Sequence, residues 1–228
     1  MAQDRPEDYA PIYAAFTAPI SRFDCGKHCA PLNGGEPVCC STKHAVPIVT
    51  VAEWRHLRAR TDLWHIYRPR DAVGRQIKEE LATDLRAVEC RGAARCEREN
   101  RSISCRTFPF FPYVTNDRRF LGLSYYWTFE DRCWVLSHLG VVDREFVDQC
   151  VRAFEACNEI GSEDLDLYRE HSAAMRRVFS RWKRLIPVIA RNGGMLAVDP
   201  KTGASRPAGA GEFPRHGPWA EEPASCAS

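Results

Sequence analysis

Cysteine is the residue type in this sequence that offers the most chemistry. The chain of 228 residues contains 11 cysteines. Eight of them fall into three groups: Cys25, Cys29, Cys39 and Cys40; then Cys90, Cys96 and Cys105; and Cys133 alone. Thiolate is a soft ligand that suits zinc, iron–sulfur clusters and Cu(I). The grouping therefore predicts a metal centre that is held by these thiols.

The number and spacing of the thiols favour an iron–sulfur cluster, with zinc as the alternative. One zinc ion takes four ligands, and this sequence offers seven or eight candidates. The surplus favours a cluster, or two metal ions, over a single structural zinc. The spacings match neither the paired CxxC motifs of a zinc ribbon nor the cysteine run of bacterial ferredoxins. Spacing alone therefore does not identify the metal.

The N-terminal residues and the apolar runs predict a protein of the reducing cytoplasm. The first ten residues, MAQDRPEDYA, contain no apolar core of a secretory signal. No run approaches the roughly 18 consecutive apolar residues of a membrane span. Cysteines in a reducing compartment stay as thiols, and clustered thiols there are typical of metal sites or redox sites.

The charge balance gives no reason to expect a nucleic-acid partner. The chain carries 32 basic and 30 acidic residues, a net charge of +2. Binding to nucleic acid usually depends on a strongly basic surface. The aromatic run Tyr125-Tyr126-Trp127 is accordingly predicted to pack in a strand rather than to stack on bases.

Capping and turn signals predict the elements around the cysteines. Thr50 and Glu53 have the spacing of a capping box, which predicts a helix that Pro69 ends. Apolar residues at helical spacing predict a second helix over 73–88. Aromatic runs on either side of Asn-Asp predict a β-hairpin over 113–128.

The remaining chain is predicted to contain two longer helices and a tail. Asp143 can cap a helix that runs to about residue 160, and Ser162 can open the longest helix, which Pro187 kinks or ends. Residues 191–228 are rich in Gly, Pro and Ser and have few apolar anchors, which favours an extended tail.

These elements predict a mainly α fold with a small β-hairpin and irregular, cysteine-rich loops around a metal centre. Residues 1–190 would form a single cysteine-cluster domain, with its core motif at 21–135 and a helical region at 143–190. The metal would link two distant segments and couple its own binding to folding.

The sequence around the cysteines resembles the YkgJ-like family of bacterial cysteine-cluster proteins, described as zinc- or iron-chelating. The resemblance covers about residues 20–135. Its motifs are a cysteine-rich loop that ends in Cys39-Cys40, the helix entry IVTVAEW (48–54) and the segment SCRTFPFFP (104–112). The first loop is longer than the family's CxxCxxCC pattern, and Ser102 stands where the family usually has Pro.

The resemblance implies a metal centre that is built from both cysteine groups. The motif cysteines correspond to Cys25, Cys29, Cys39, Cys40, Cys90, Cys96 and Cys105, while Cys133 has a weaker counterpart. The family includes the larger flagellin lysine N-methylases, so methyl transfer is an alternative. The chain has no GxGxxG nucleotide loop. Whether the protein is an iron–sulfur-dependent enzyme such as a lysine N-methylase or an oxidoreductase, a redox or metal-handling module, or a structural zinc protein stays open. The protein partner is unknown.

Histidines and cations near the cysteines allow two interpretations each. His28 and His44 are imidazoles that could complete a zinc site, but the surplus of thiols favours surface roles. His138 is predicted to be surface. Arg106 and Lys27 could hydrogen-bond to the sulfurs or lower thiol pKa values, and surface charge is preferred for Lys27.

The aromatic run after Cys105 allows two interpretations, whereas the last three cysteines are not expected to bind metal. The run 108–112, FPFFP, either walls the site from water or forms ordinary core. Cys150 and Cys157 lie on a predicted helix stripe and are expected to be buried as small hydrophobes. Cys226 lies in the predicted tail, where no role is assigned to it.

Overall fold

The computed structural model describes residues 4–161 and 165–221, in which helices and two sheets are combined. The helices are α1 Tyr9–Ala15, α2 Gly26–Cys29, α3 Val51–Arg60, α4 Ala72–Glu80, α5 Ile103–Thr107, α6 Trp134–Ser137, α7 Arg144–Glu159 and α8 Leu165–Trp182. The strands are β1 Ile48–Thr50, β2 Trp64–Ile66, β3 Leu85–Cys90, β4 Phe110–Val114, β5 Phe120–Tyr125, β6 Ile186–Ala190, β7 Met195–Val198 and β8 Ser205–Ala208.

The fold is α+β, and the prediction of a mainly α fold with one small hairpin is wrong. An antiparallel sheet of three strands has the order β1–β3–β2. A second antiparallel sheet of five strands has the order β4–β5–β6–β7–β8. Much of this strand structure lies in segments whose sequence predicts helix or tail.

The three-stranded sheet contains the first of these differences. The predicted helix over 73–88 ends at Glu80, and the chain turns so that Leu85–Cys90 forms the central strand of the sheet. Ala87, Val88 and Glu89 are all buried in succession. A strand that is covered on both faces lacks the alternation that distinguishes strand from helix, so its apolar residues can fit a helical spacing by coincidence.

Helix α3 begins as predicted and ends earlier. The Thr50 side chain accepts a hydrogen bond from the Glu53 amide at 3.0 Å, which caps the first turn. The Glu53 carboxylate accepts from the Tyr13 hydroxyl at 2.6 Å and from the Ile103 amide at 2.8 Å. It thus joins α3 to α1 and α5. The helix ends at Arg60, nine residues before the predicted Pro69, because β2 follows.

The five-stranded sheet begins with the predicted hairpin of β4 and β5 and continues through the predicted tail. Strands β7 and β8 lie within residues 191–228. The turn between β6 and β7 contains Gly193 and Gly194, both with positive φ, a conformation that glycine adopts without strain. The glycine content therefore marks a hairpin turn here, and the domain extends beyond residue 190.

Helices α7 and α8 pack against the five-stranded sheet, and α7 also contacts the N-terminal helix α1. Asp143 precedes α7 as its N-cap residue, and the helix ends at Glu159, as predicted. The predicted start at Ser162 lies outside the described residues. Helix α8 ends at Trp182, and Pro187 lies within β6. The Ser172 hydroxyl on α8 accepts from the Val114 amide at 3.0 Å and fixes this helix against β4.

The described helices include none that combines the length and the apolar character needed to cross a bilayer.

Candidate metal centre

Six thiols from both cysteine groups line one cavity of about 730 Å³. The cavity lies between the first loop, the end of β3 and helix α5. The lining thiols are Cys25, Cys39, Cys40, Cys90, Cys96 and Cys105. None of the ten cysteines in the described part of the chain forms a disulfide. The fold therefore brings together two segments that are about 50 residues apart in the sequence, without a covalent link between them.

Short helical turns position the thiols of the first loop. Cys25 is the N-cap residue of α2, and Cys39 and Cys40 belong to the 3₁₀ turn Val38–Cys40. Val38 is 2% exposed and anchors this turn in the core. The sulfurs of Cys39 and Cys40 lie 3.9 Å apart. The loop can place adjacent thiols at one cavity because no sheet constrains its backbone.

The second group is positioned by a strand end, a turn and a helix. Cys90 is the last residue of β3, where it pairs with Trp64 of β2. Cys96 follows the 3₁₀ turn Ala93–Arg95. Cys105 lies in α5, where its amide donates to the Ser102 hydroxyl at 3.1 Å. Ser102 thus acts as an N-cap at the position where the resembled family usually has Pro.

Arg106 organises the cavity walls through backbone carbonyls. Its guanidinium donates to the carbonyls of Phe16, of Tyr13 at 3.2 Å, of Arg101 at 3.0 Å and of Glu99 at 2.5 Å. These bonds hold the N-terminal segment against the turn that precedes α5. The hydrogen bonds of Arg106 therefore go to main-chain oxygens, and its role in the CRTFPF motif is to position the walls.

Arg101 is the cation that contacts a sulfur, and the sequence did not predict this role for it. Its Nε donates to the Cys96 sulfur at 3.0 Å. The side chain is half-buried and lines the cavity. The sequence feature that could have indicated this contact is its position, five residues after Cys96 and four before Cys105. In a sequence with 32 basic residues, that signal does not distinguish Arg101 from its neighbours.

Burial keeps most of these thiols protonated when no metal is bound. It raises the pKa of Cys105 to about 12 and the pKa of Cys25 to about 11. Burial also raises the pKa of Cys90. The hydrogen bond from Cys39 has the opposite effect and lowers the pKa of Cys40 to about 7. Cys40 is therefore the thiol that ionises near neutral pH.

Charge interactions link Cys40, Cys90, Cys96 and Cys105, and the charges of Cys105 and Cys25 act on Cys39 in the same way. After burial, the charges of Cys40, Cys90 and Cys96 contribute to the raised pKa of Cys105. The charges of Cys40 and Cys96 act on Cys90 in the same way. Such interactions require proximity, because charge effects weaken with distance. Cys40 comes from the first loop and Cys90, Cys96 and Cys105 from the second group, so these interactions span both segments.

Cys29 and Cys133 are not among the residues that line the cavity. Cys29 is buried, and its thiol lies 3.8 Å from the Gly26 carbonyl. Burial raises the pKa of Cys133 to about 12, and the charge of Cys25 adds to this effect. Trp134 follows Cys133 and stacks on His28 at 4.1 Å between ring centroids. This stack holds Cys133 beside the first loop.

The histidines are engaged in contacts other than with the thiols. His44 pairs through Nε2 with the Asn33 side chain at 2.8 Å and through Nδ1 with Arg132 at 3.3 Å.

His28 is exposed and stacks on Trp134. His138 is 7% exposed, so its predicted place on the surface is wrong. Its ring also stacks on Trp134, at 4.4 Å between centroids.

The FPFFP run contributes both to the cavity and to the core. Phe108 lines the cavity, whereas Phe110 and Phe111 are 1% and 0% exposed within the core. Both interpretations of this run are therefore partly correct.

Cys150, Cys157 and Lys27 are not among the residues that line the thiol cavity. Cys150 and Cys157 are buried in the core on α7, as predicted. Cys226 lies outside the described residues. Lys27 is largely exposed and pairs with Asp24 at 3.9 Å, consistent with surface charge.

The donor set suits a soft metal, but the side chains are not yet arranged as ligands. In residues 4–161 and 165–221, no three His, Cys, Asp or Glu side chains already form a group that could hold a metal ion. Sulfur-rich lining of this kind fits zinc or an iron–sulfur cluster.

No family model, no curated protein and no solved structure matches the chain. The resemblance to the YkgJ-like family therefore rests on its sequence motifs alone.

Proposed function

We propose that the protein binds an iron–sulfur cluster through thiolates of its two cysteine groups, and that zinc is the second candidate. The observation that supports this most strongly is the single cavity lined by six thiols from both segments. Cys40, Cys90, Cys96 and Cys105 are the proposed ligands, because all four line the cavity and the charges of the first three act on Cys105. Cys39, on which the charge of Cys105 also acts, is the alternative to Cys40. Four thiolates are the usual ligand set of such clusters.

The number of thiols at the cavity favours a cluster, or two metal ions, over one zinc ion. A structural zinc site is closed around the ion by its four ligands. Six thiols line the cavity, so Cys25 and Cys39 exceed what one zinc needs. Zinc stays a candidate because the four proposed ligands would satisfy it.

Arg101 fits the surroundings of a cluster. A guanidinium that donates to a ligand sulfur stabilises the negative charge of the loaded site and tunes its potential. Free thiols in this number fit a reducing compartment such as the cytoplasm, which we propose as the location. The proposed role is that of a cluster-binding module in redox chemistry or metal handling.

Elemental analysis of anaerobically purified protein tests the proposal. We expect iron and acid-labile sulfide in equal amounts per chain, together with broad visible absorption from sulfur-to-iron charge transfer. Zinc without sulfide would establish the second candidate. A protein that contains neither metal, and that takes up neither iron and sulfide nor zinc on reconstitution, would contradict the proposal.

A further inference from the structure

The cavity wall that carries the thiols also carries arginines that have no carboxylate partner. Arg60, Arg98 and Arg101 all line the cavity. Within the described residues, none of the three forms an ion pair with Asp or Glu. Arg60 donates through Nε to the Asn100 side chain at 3.1 Å, and Arg101 donates through Nε to Cys96. In the part of the chain that the structure describes, several N–H donors of these guanidinium groups therefore form no hydrogen bond or ion pair.

Two of the three carboxylates on the cavity wall are already matched by cations. Glu89 is buried and lies 3.3 Å from Arg70 and 3.2 Å from His65. Asp24 pairs with Lys27. Glu99, the third, is exposed. The acidic side chains therefore leave an excess of positive charge on this wall.

The donors of this wall can be reached from solvent. Arg60 and Arg98 are exposed, and both line the cavity. Arginine forks match carboxylate and phosphate groups through paired N–H donors. The wall therefore suits a negatively charged solute.

We propose that the arginine side of this cavity binds a small oxyanion, a carboxylate or phosphate group, beside the metal centre. The proposal rests on the proposed function in one respect, namely that the metal centre occupies the thiol side. The anion would then lie within the same cavity as the metal, as a substrate or as an added ligand. The competing explanation is that Arg101, which contacts a sulfur, only compensates the charge of the cluster. That explanation gives no role to Arg60 and Arg98.

Isothermal titration calorimetry with two probes tests this proposal. Inorganic phosphate and succinate are titrated separately into metal-loaded protein at low ionic strength. We expect at least one of the two anions to bind. If only one of them binds, the result shows whether the site recognises a phosphate group or a carboxylate group. The double variant Arg60→Gln/Arg98→Gln is expected to lose about tenfold or more in affinity, since it removes charged hydrogen-bond donors. It leaves Arg101 and all thiols unchanged.

Arg95→Gln is the matched control. Arg95 lies in the same stretch and is exposed, but it does not line the cavity, so its variant should bind like the unmodified protein. Binding of neither anion, or equal affinity in the double variant, would overturn the proposal. Metal content is measured on every sample. A chain that takes up no metal but binds an anion through the same arginines would contradict the proposed function and support the oxyanion site.

Discussion

Removing the metal is expected to lower the melting temperature of the protein by about 10 °C. A ligand that binds only the native state, at about 1,000 times its Kd, stabilises that state by about 4 kcal/mol. In a chain of this size, each kcal/mol corresponds to about 2–4 °C. Scanning calorimetry of loaded and chelated protein, both reduced and under anaerobic conditions, measures the difference.

Local opening should increase most around the cavity, because the five-stranded sheet does not contribute to its lining. Hydrogen exchange is expected to speed up most in residues 25–40 and 90–107, whereas amides of β4 to β7 should speed up only by the amount that the loss of global stability predicts. The Cys105→Ala variant, which is expected to hold no metal, serves as the control and should show no shift with chelator. An unchanged melting temperature for loaded and chelated protein would contradict the proposed coupling of metal binding to folding.

The apparent affinity for zinc, used as a probe of the thiols, is expected to rise at least about 100-fold between pH 6 and pH 7, because the protonated thiols of Cys90 and Cys105 must each release a proton on binding. The pKa values of Cys90 and Cys105 are raised, the latter to about 12, so both thiols are protonated in this range. Each released proton increases the apparent association constant about tenfold per pH unit. Cys40, with a pKa of about 7, adds less than one further proton.

Competition against a chelator of known pH dependence measures this effect, and proton release into a weak buffer gives an independent count. The sign of the pH dependence follows from the direction in which the thiol pKa values are shifted. Thiols whose pKa lies above the working pH favour the metal-free state as the pH falls. An affinity that does not change from pH 6 to pH 7 would show that the bound groups are already ionised, which excludes buried Cys90 and Cys105 as ligands.

Local signals in the sequence predicted the elements whose ends are fixed by one side chain. Thr50 caps α3 through its side chain, and Asp143 occupies the N-cap position of α7 without a side-chain hydrogen bond to the first turn. The Asn-Asp turn between β4 and β5 is local in the same sense. These features need no knowledge of distant parts of the chain, so they could be predicted from the sequence.

Features that depend on distant partners were missed. Leu85–Cys90 becomes a strand because β1 and β2 flank it on both sides. Residues 195–208 become strands because β6 offers a free edge to β7. In both cases, tertiary pairing outweighs the local pattern.

The candidate site shows the same division. Six of the eight cysteines that were predicted from their grouping line one cavity, and their binding of one metal centre stays a prediction. The grouping did not separate Cys29 and Cys133 from the six that line the cavity, since their distance from the wall depends on the packing of α2 and Trp134. The contact of Arg101 with Cys96 depends on the path of the turn before α5, which spacing does not determine.

Metal content of two single variants, one from each segment, tests most directly whether both segments bind one centre. Cys40→Ala and Cys105→Ala are compared with Cys150→Ala, whose cysteine is buried on α7 away from the cavity. We expect each of the first two to reduce the bound metal to a small fraction of that in the unmodified protein, and the control to retain it fully. Full metal content in either Cys40→Ala or Cys105→Ala would show that the two segments do not share a metal centre.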